Sequence, residues 1–161
     1  GIAKSSNSVP IEEELARVYL AMGLFQKAKA SLRKVLQAQP TRVSAMKILG
    51  HVYFELSGYS AAITTYEELQ RKSALDKKSS IIYVRALVMS GRYDDAAEVL
   101  TRWSDLDKDD FVVGVEMARV YTKQGKLKKA GALLKHLKDI NPQYAPLYSA
   151  FGLLYAARKK Y

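Results

Sequence analysis

The feature that most constrains the fold of this chain is an internal repeat of 34 residues. When the sequence is shifted against itself by this period, the same kinds of residue return at the same positions. The small position is always alanine, at Ala28, Ala62, Ala96 and Ala130. An aromatic-rich position holds Tyr19, Tyr53, Leu87, Tyr121 and Tyr155. Since one such unit cannot bury its own apolar face, the period predicts a stack of similar units.

The spacing inside each unit predicts two helices joined by a short turn. Leu49 and Tyr53 are four residues apart, and so are Ala62 and Tyr66, which places each pair on one helix face. The position between the helices holds glycine or serine, which favours a helix stop; these residues are Gly23, Ser57, Gly91 and Gly125. First helices are predicted at about 10–22, 43–56, 77–90, 111–124 and 145–159, and second helices at about 25–38, 59–72, 93–105 and 127–140.

Three segments, LGHVYFELSGYSAAITTY, VRALVMSGRYDDAAEVL and ARVYTKQGKLKKAGALL, resemble the tetratricopeptide repeat family. The resemblance covers residues 9–161 without an insertion. It implies an all-α fold, a right-handed α-solenoid of antiparallel helix pairs. Four full repeats are expected at 9–42, 43–76, 77–110 and 111–144, with a partial repeat at 145–161 and a disordered segment at 1–8. Pentatricopeptide repeats, which bind RNA, are similar in architecture, but their usual period is one residue longer. The strict period of 34 residues therefore disfavours that family.

The resemblance also implies that the first helices line a concave groove for a partner segment. Positions that share one face of these helices form a basic stripe beside an apolar strip. The predicted groove residues are Arg17, Leu20, Lys47, His51, Phe54, Arg85, Val88, Met89, Arg119 and Lys123. Such a surface suits an acidic segment with a few apolar anchors, because arginine pairs bidentately with carboxylates. Some family members bind chaperone tails through an asparagine at the position of Arg17 and His51, so that role is not favoured here.

The sequence offers little for catalysis or metal binding. It has no cysteine and two histidines, and it lacks a Gly-rich phosphate loop, a nucleophile elbow and a His-Glu-x-x-His motif. We therefore predict that the chain is not an enzyme and needs no cofactor. His51 and Glu55 could form half of a metal site, but a pair on the helix surface is the favoured interpretation.

One acidic segment is spaced like a calcium-binding loop. Residues 105–116 place acids at the first, third, fifth and twelfth loop positions. However, the sixth position is Asp110 where glycine is required, and the repeat places Phe111 to Glu116 in a helix. We interpret the segment as a turn between repeats in which Asp109 or Asp110 caps the next helix.

The net charge of +10 favours an anionic partner. A protein or peptide is expected, and nucleic acid is disfavoured because the tyrosines fall in packing positions and do not alternate with the basic residues. No apolar run approaches the ~20 residues of a membrane span. The compartment stays open between cytoplasm and periplasm, since the chain begins at Gly1 without an initiator Met and a signal or anchor could have been removed.

The last helix is rich in apolar residues. Terminal repeats normally present a polar outer face, so we expect a contact face there for self-association or for a partner, made of Tyr148, Phe151, Leu154 and Tyr155. Two functions follow. The first is a non-catalytic scaffold that holds an acidic, partly apolar segment in its groove. The alternative is a structural module of an envelope or secretion complex that assembles through this C-terminal face.

Overall fold

The computed structural model describes the backbone of residues 2–160 and the side chains of residues 8–160. Over that range the chain forms nine α-helices and no strand, which confirms the all-α prediction. The helices are α1 (Ile2–Ala21), α2 (Phe25–Ala38), α3 (Val43–Glu55), α4 (Tyr59–Arg71), α5 (Lys77–Met89), α6 (Tyr93–Leu106), α7 (Phe111–Lys123), α8 (Leu127–Ile140) and α9 (Pro146–Arg158).

The start of α1 differs from the sequence prediction. The backbone is helical from Ile2, whereas the first helix was expected from about residue 10 after a disordered segment at 1–8; of that segment, Gly1 lies outside the described residues. The stretch between Ile2 and Pro10 contains no glycine, and Val9, which is 4% exposed, anchors it in the core. Pro10 lies inside the helix, where it removes one backbone hydrogen bond without ending it.

The turns within the helix pairs explain the glycine-or-serine position of the repeat. Gly23, Ser57, Gly91 and Gly125 all have positive φ, between 58° and 76°. The next residue then donates its N–H to a carbonyl five residues back, as from Gly58 to Tyr53 at 2.8 Å. This left-handed residue ends the first helix and allows the second to begin, as predicted.

The helices belong to two compact units, residues 1–86 and 87–161. In the first unit, α2 packs on α1 and α3, and α4 packs on α3. Its core contains the predicted alanine Ala28 together with Leu32 and Val35 of α2 and Leu49 and Val52 of α3. The repeated small and large positions of the sequence are therefore the packing positions of the helix pairs.

The second unit is built in the same way. In it, α7 packs on α6, α8 and α9, and α8 also packs on α9. Its core contains Ala130, Leu134 and Leu137 of α8, and Leu147 and Leu154 of α9. Asp110 begins α7 as a side-chain cap that accepts the N–H of Val113 at 3.0 Å, which confirms the capping interpretation of the acidic segment.

Candidate functional site

The first unit contains a cavity of about 1060 Å³ between its first helices. It is lined by α1, the turn that follows α1, the first residue of α2, and the facing sides of α3 and α5. The lining residues are Arg17, Leu20, Ala21, Gly23, Phe25, Val43, Ser44, Lys47, Ile48, His51, Glu55, Asp76, Lys78, Ser79 and Ile82. This volume lies in the range of pockets that bind ligands, and helix faces of this kind also receive peptide segments.

The apolar part of the lining comes from four helices. Leu20 of α1, Phe25 of α2 and Ile82 of α5 are half-buried, while Ile48 of α3 is 7% exposed. An apolar side chain of a ligand that entered the cavity would therefore leave water for contact with these groups. Each fully buried apolar side chain contributes roughly 1.5–3 kcal/mol to such binding.

The cations of the lining differ in how strongly the chain itself neutralises them. Arg17 contacts Glu13 at 2.7 Å and Glu14 at 3.1 Å on its own helix. Lys47 contacts Asp76 at 2.6 Å. Within residues 8–160, Lys78 has no carboxylate within ion-pair distance and is exposed. The sequence-predicted basic stripe is thus partly neutralised, and Lys78 is the lining cation that is open to a partner.

Two acidic side chains hold this arrangement in place. Burial raises the pKa of Glu13, but hydrogen bonds from Arg42, Ser44 and Arg17 outweigh burial and keep the pKa below its usual value. For Asp76, burial likewise raises the pKa, but hydrogen bonds from Lys47 and from the backbone and side chain of Ser79 outweigh burial and keep the pKa below its usual value. Both carboxylates are therefore charged at neutral pH.

Asp76 links the cavity to the start of α5. It accepts the backbone N–H of Ser79 at 2.8 Å, so it caps the helix while it holds Lys47. Beside it, His51 and Glu55 lie 3.3 Å apart on α3, as the helix-surface interpretation predicted. Among residues 8–160, no group of three His, Asp or Glu side chains is placed to hold a metal ion.

The structure brings together four of the predicted groove residues, Arg17, Leu20, Lys47 and His51, in the cavity lining. Phe54 is not part of the lining; its ring packs against Tyr59 with centroids 5.6 Å apart. Arg85, also outside the lining, is exposed on α5.

Four predicted groove residues lie in the second unit: Val88, Met89, Arg119 and Lys123. Met89 is 59% exposed. Arg119 is held within its own unit, by Glu116 at 3.3 Å and Ser149 at 2.6 Å.

Several lining residues were missed in the sequence, chiefly Phe25, Asp76, Lys78, Ser79 and Ile82. None of these five residues was among the predicted groove residues. Asp76 could have been found, because an aspartate directly before a predicted helix is typical of an N-cap. It lies one repeat before Asp110, for which the sequence did predict a cap.

The predicted C-terminal contact face needs a correction. Leu154 is 1% exposed and packs in the core of the second unit, so it offers no surface to a partner. The helical period places it with Leu147 on the buried side of α9, whereas Tyr148 and Tyr155 are each 53% exposed. Phe151, which is half-buried, stacks on Tyr155 with centroids 6.0 Å apart.

In the part of the chain that the structure describes, no helix combines the length and apolar character needed to span a membrane.

Comparison with known proteins places these helix pairs in a family. One sequence profile described as tetratricopeptide repeat matches residues 13–77 and again residues 49–111. A second profile of the same description matches residues 87–152. Anaphase-promoting complex subunit 7 of Arabidopsis thaliana is 28% identical over 130 residues, which is 80% of this chain. The chain spans only 23% of the length of that relative.

Solved structures show the same fold. MamA residues 41–end from Desulfovibrio magneticus RS-1 superposes with a TM-score of 0.81 at 14% identity, covering 94% of this chain and 86% of that one. YrrB, described as a TPR protein with an unusual peptide-binding site, gives a TM-score of 0.74 at 19% identity and covers 92% of this chain and 76% of its own. These neighbours confirm the predicted solenoid fold class. The chain therefore belongs to the tetratricopeptide repeat family, whose repeats serve as scaffolds for protein–protein interaction.

Proposed function

We propose that the cavity of the first unit holds an acidic, partly apolar segment of a partner protein. The observation that carries this proposal is the mixed apolar and basic composition of the cavity lining. Apolar side chains from four helices lie beside the cations Arg17, Lys47 and Lys78 in a space of about 1060 Å³. An extended segment or one helical turn with alternating acidic and apolar side chains matches both halves of this lining.

The arrangement of charge supports an acidic ligand of limited charge. The lining holds three cations and the two carboxylates Glu55 and Asp76. Because Asp76 already neutralises Lys47, a carboxylate of the ligand gains most at Lys78, whose ammonium has no competing acid within residues 8–160.

Lys78→Glu tests this proposal directly. Lys78 is the second residue of α5, where an acidic side chain is favourable to the helix, so the variant should fold normally. Lys128→Glu is the matched control, since Lys128 is the exposed second residue of α8, in the second unit.

The probe is a labelled panel of synthetic peptides in which Asp and Glu alternate with Leu and Phe, with a basic panel of the same pattern. We expect wild type and Lys128→Glu to bind acidic members alike, and Lys78→Glu to bind them about three- to tenfold more weakly. Added salt should reduce the difference. Equal binding by all three proteins, or a preference for the basic panel, would refute the proposed ligand.

The exposed tyrosines of α9 support a second candidate, structural assembly through this helix. Tyr148 and Tyr155 are large, half-apolar side chains on the outer side of α9. If this face drives self-association, the sedimentation coefficient should rise with protein concentration for wild type and stay constant for a Tyr148→Ser/Tyr155→Ser variant. Concentration-independent sedimentation of wild type would exclude the candidate.

A further inference from the structure

A second surface, separate from the cavity and beyond the function proposed for it, lies on α1. Four large apolar side chains are exposed there: Ile11 at 69%, Leu15 at 37%, Val18 at 51% and Met22, directly after the helix, at 65%. Their spacing of four, three and four residues puts them along one helix face, called here the α1 stripe. None of the four lines the cavity. A contiguous apolar strip of this kind marks an interaction surface.

The repeat itself shows what covers this face elsewhere in the first unit. One period later, the equivalent positions on α3 are Ala45, Leu49, Val52 and Leu56. The first three are 0%, 8% and 0% exposed, and Leu56 is half-buried. They share a core with fully buried side chains of α2, the helix that packs on α3.

The α1 stripe is thus the surface through which a first helix receives the second helix of the repeat before it. Within the described residues, no helix covers that place on α1, because the four side chains of the stripe are exposed. The stripe also carries Ile11 where α3 has Ala45, so it offers more apolar surface than its buried equivalent.

The charges beside the stripe indicate the character of the occupant. Glu14 lies three residues after Ile11 and four before Val18, and its side chain is 72% exposed. It contacts Arg17 of the same helix at 3.1 Å, but a carboxylate has two acceptor oxygens and can also receive a cation from a docked helix. Two residues before Glu14, Glu12 accepts a hydrogen bond from Lys34 of α2 at 3.1 Å, which shows how a basic helix is held against α1. The α2 sequence is itself basic and amphipathic, with Lys27, Lys29, Arg33 and Lys34 around its buried Leu32 and Val35.

We propose that the α1 stripe docks a basic amphipathic helix built like α2. Its apolar residues, spaced three to four apart, pack on Leu15 and Val18, and a flanking Lys or Arg pairs with Glu14. Docking then reproduces on α1 the packing that α2 makes on α3. The occupant is recognised by shape and charge, and the cavity is left free.

The test uses the full chain and a labelled synthetic peptide of residues 24–39, the α2 segment. The stripe variant is Val18→Asp, which places a charge in the middle of the apolar face. Val112→Asp is the matched control, because Val112 is 42% exposed at the start of α7 in the second unit. Both changed side chains lie at the surface, so circular dichroism should report wild-type helix content for both proteins.

We expect saturable binding to wild type and to Val112→Asp by fluorescence anisotropy, and at least about tenfold weaker binding to Val18→Asp. A peptide with Leu32→Ser and Val35→Ser should not bind wild type, and Lys78→Glu should leave binding of the original peptide unchanged. Equal binding to wild type and Val18→Asp would overturn the proposal, since the peptide would then sit elsewhere. Self-association of wild type that Val18→Asp abolishes would also overturn it, because a second copy would then be the occupant.

Discussion

The glycine at position 50 provides a strict test of how the helix pairs pack. In α3, a Cβ added at Gly50 would lie 2.6 Å from Cζ and 2.8 Å from Cε1 of Tyr66. That ring is 0% exposed and packs against Tyr83 with centroids 5.8 Å apart, so it has no room to retreat. Overpacking of this kind costs about 1–3 kcal/mol, while replacing glycine by alanine inside a helix returns about 0.5–1 kcal/mol. Gly50→Ala should therefore destabilise the chain by up to about 2.5 kcal/mol.

The same substitution three periods later should have the opposite sign. Gly152 lies at the equivalent position in the middle of α9, and a Cβ there would meet nothing within 4 Å. Only the gain in helix propensity remains, so Gly152→Ala should stabilise the chain by about 0.5–1 kcal/mol. The pair is matched in residue type, helix position and repeat position, and differs in the presence of a packed aromatic ring.

Urea denaturation followed by far-UV circular dichroism measures both effects. Gly50→Ala should lower the denaturation midpoint and Gly152→Ala should raise it relative to wild type. Hydrogen exchange of the α3 and α4 amides provides a local check, because repeat proteins can unfold in parts. If both variants shift the midpoint upward, the ring of Tyr66 is free to move and the packing argument fails.

Three further results are expected. Ser57→Gly should raise the thermal unfolding midpoint by the equivalent of about 1 kcal/mol, because Ser57 has a φ of 58°, which is unfavourable for residues other than glycine. An unchanged midpoint would show that this backbone is unstrained. The pKa of Glu13 in the folded chain lies below its usual 4.5, so the ionised carboxylate stabilises the fold above that pH, and this stabilisation is lost as pH falls through the folded pKa. Glu13→Gln should therefore weaken the dependence of the free energy of unfolding on pH in the acid range, and an unchanged dependence would contradict this. Leu154→Ala should cost about 2–5 kcal/mol in a urea titration, far more than Tyr155→Ala, and equal losses would contradict the assignment of Leu154 to the core.

The period and the helix bounds could be predicted from sequence because each is repeated. A single alanine or glycine says little, but four copies of Ala28 and of the Gly23 position fix the register of every turn. Apart from the start of α1, the observed helix ends lie within one residue of the predictions. The start of α1 was missed because it precedes the first complete copy, so no equivalent residues constrained it.

The site was predicted less well because its chemistry depends on residues that do not repeat. Arg17 and Lys47 were predicted to lie in the groove and line the cavity, but the sequence pattern did not show that Glu14 and Asp76 pair with them. Asp76 reaches Lys47 from 29 positions away, through the turn before α5. Counting the positive charges on one face of the first helices therefore overstated how basic the surface is.

The same reasoning explains why the two proposed binding surfaces differ in kind. The cavity includes positions where the copies differ, such as Lys78, whose equivalents are Ser44 and Val112, so its ligand preference does not follow from the repeat. The centre of the α1 stripe, Leu15 and Val18, has the same residues as the buried face of α3, Leu49 and Val52, so the packing of α3 supplies the template for its occupant. A variant that removes charge from the cavity should thus change which ligand binds there, whereas a variant in the stripe should change whether a helix docks at all.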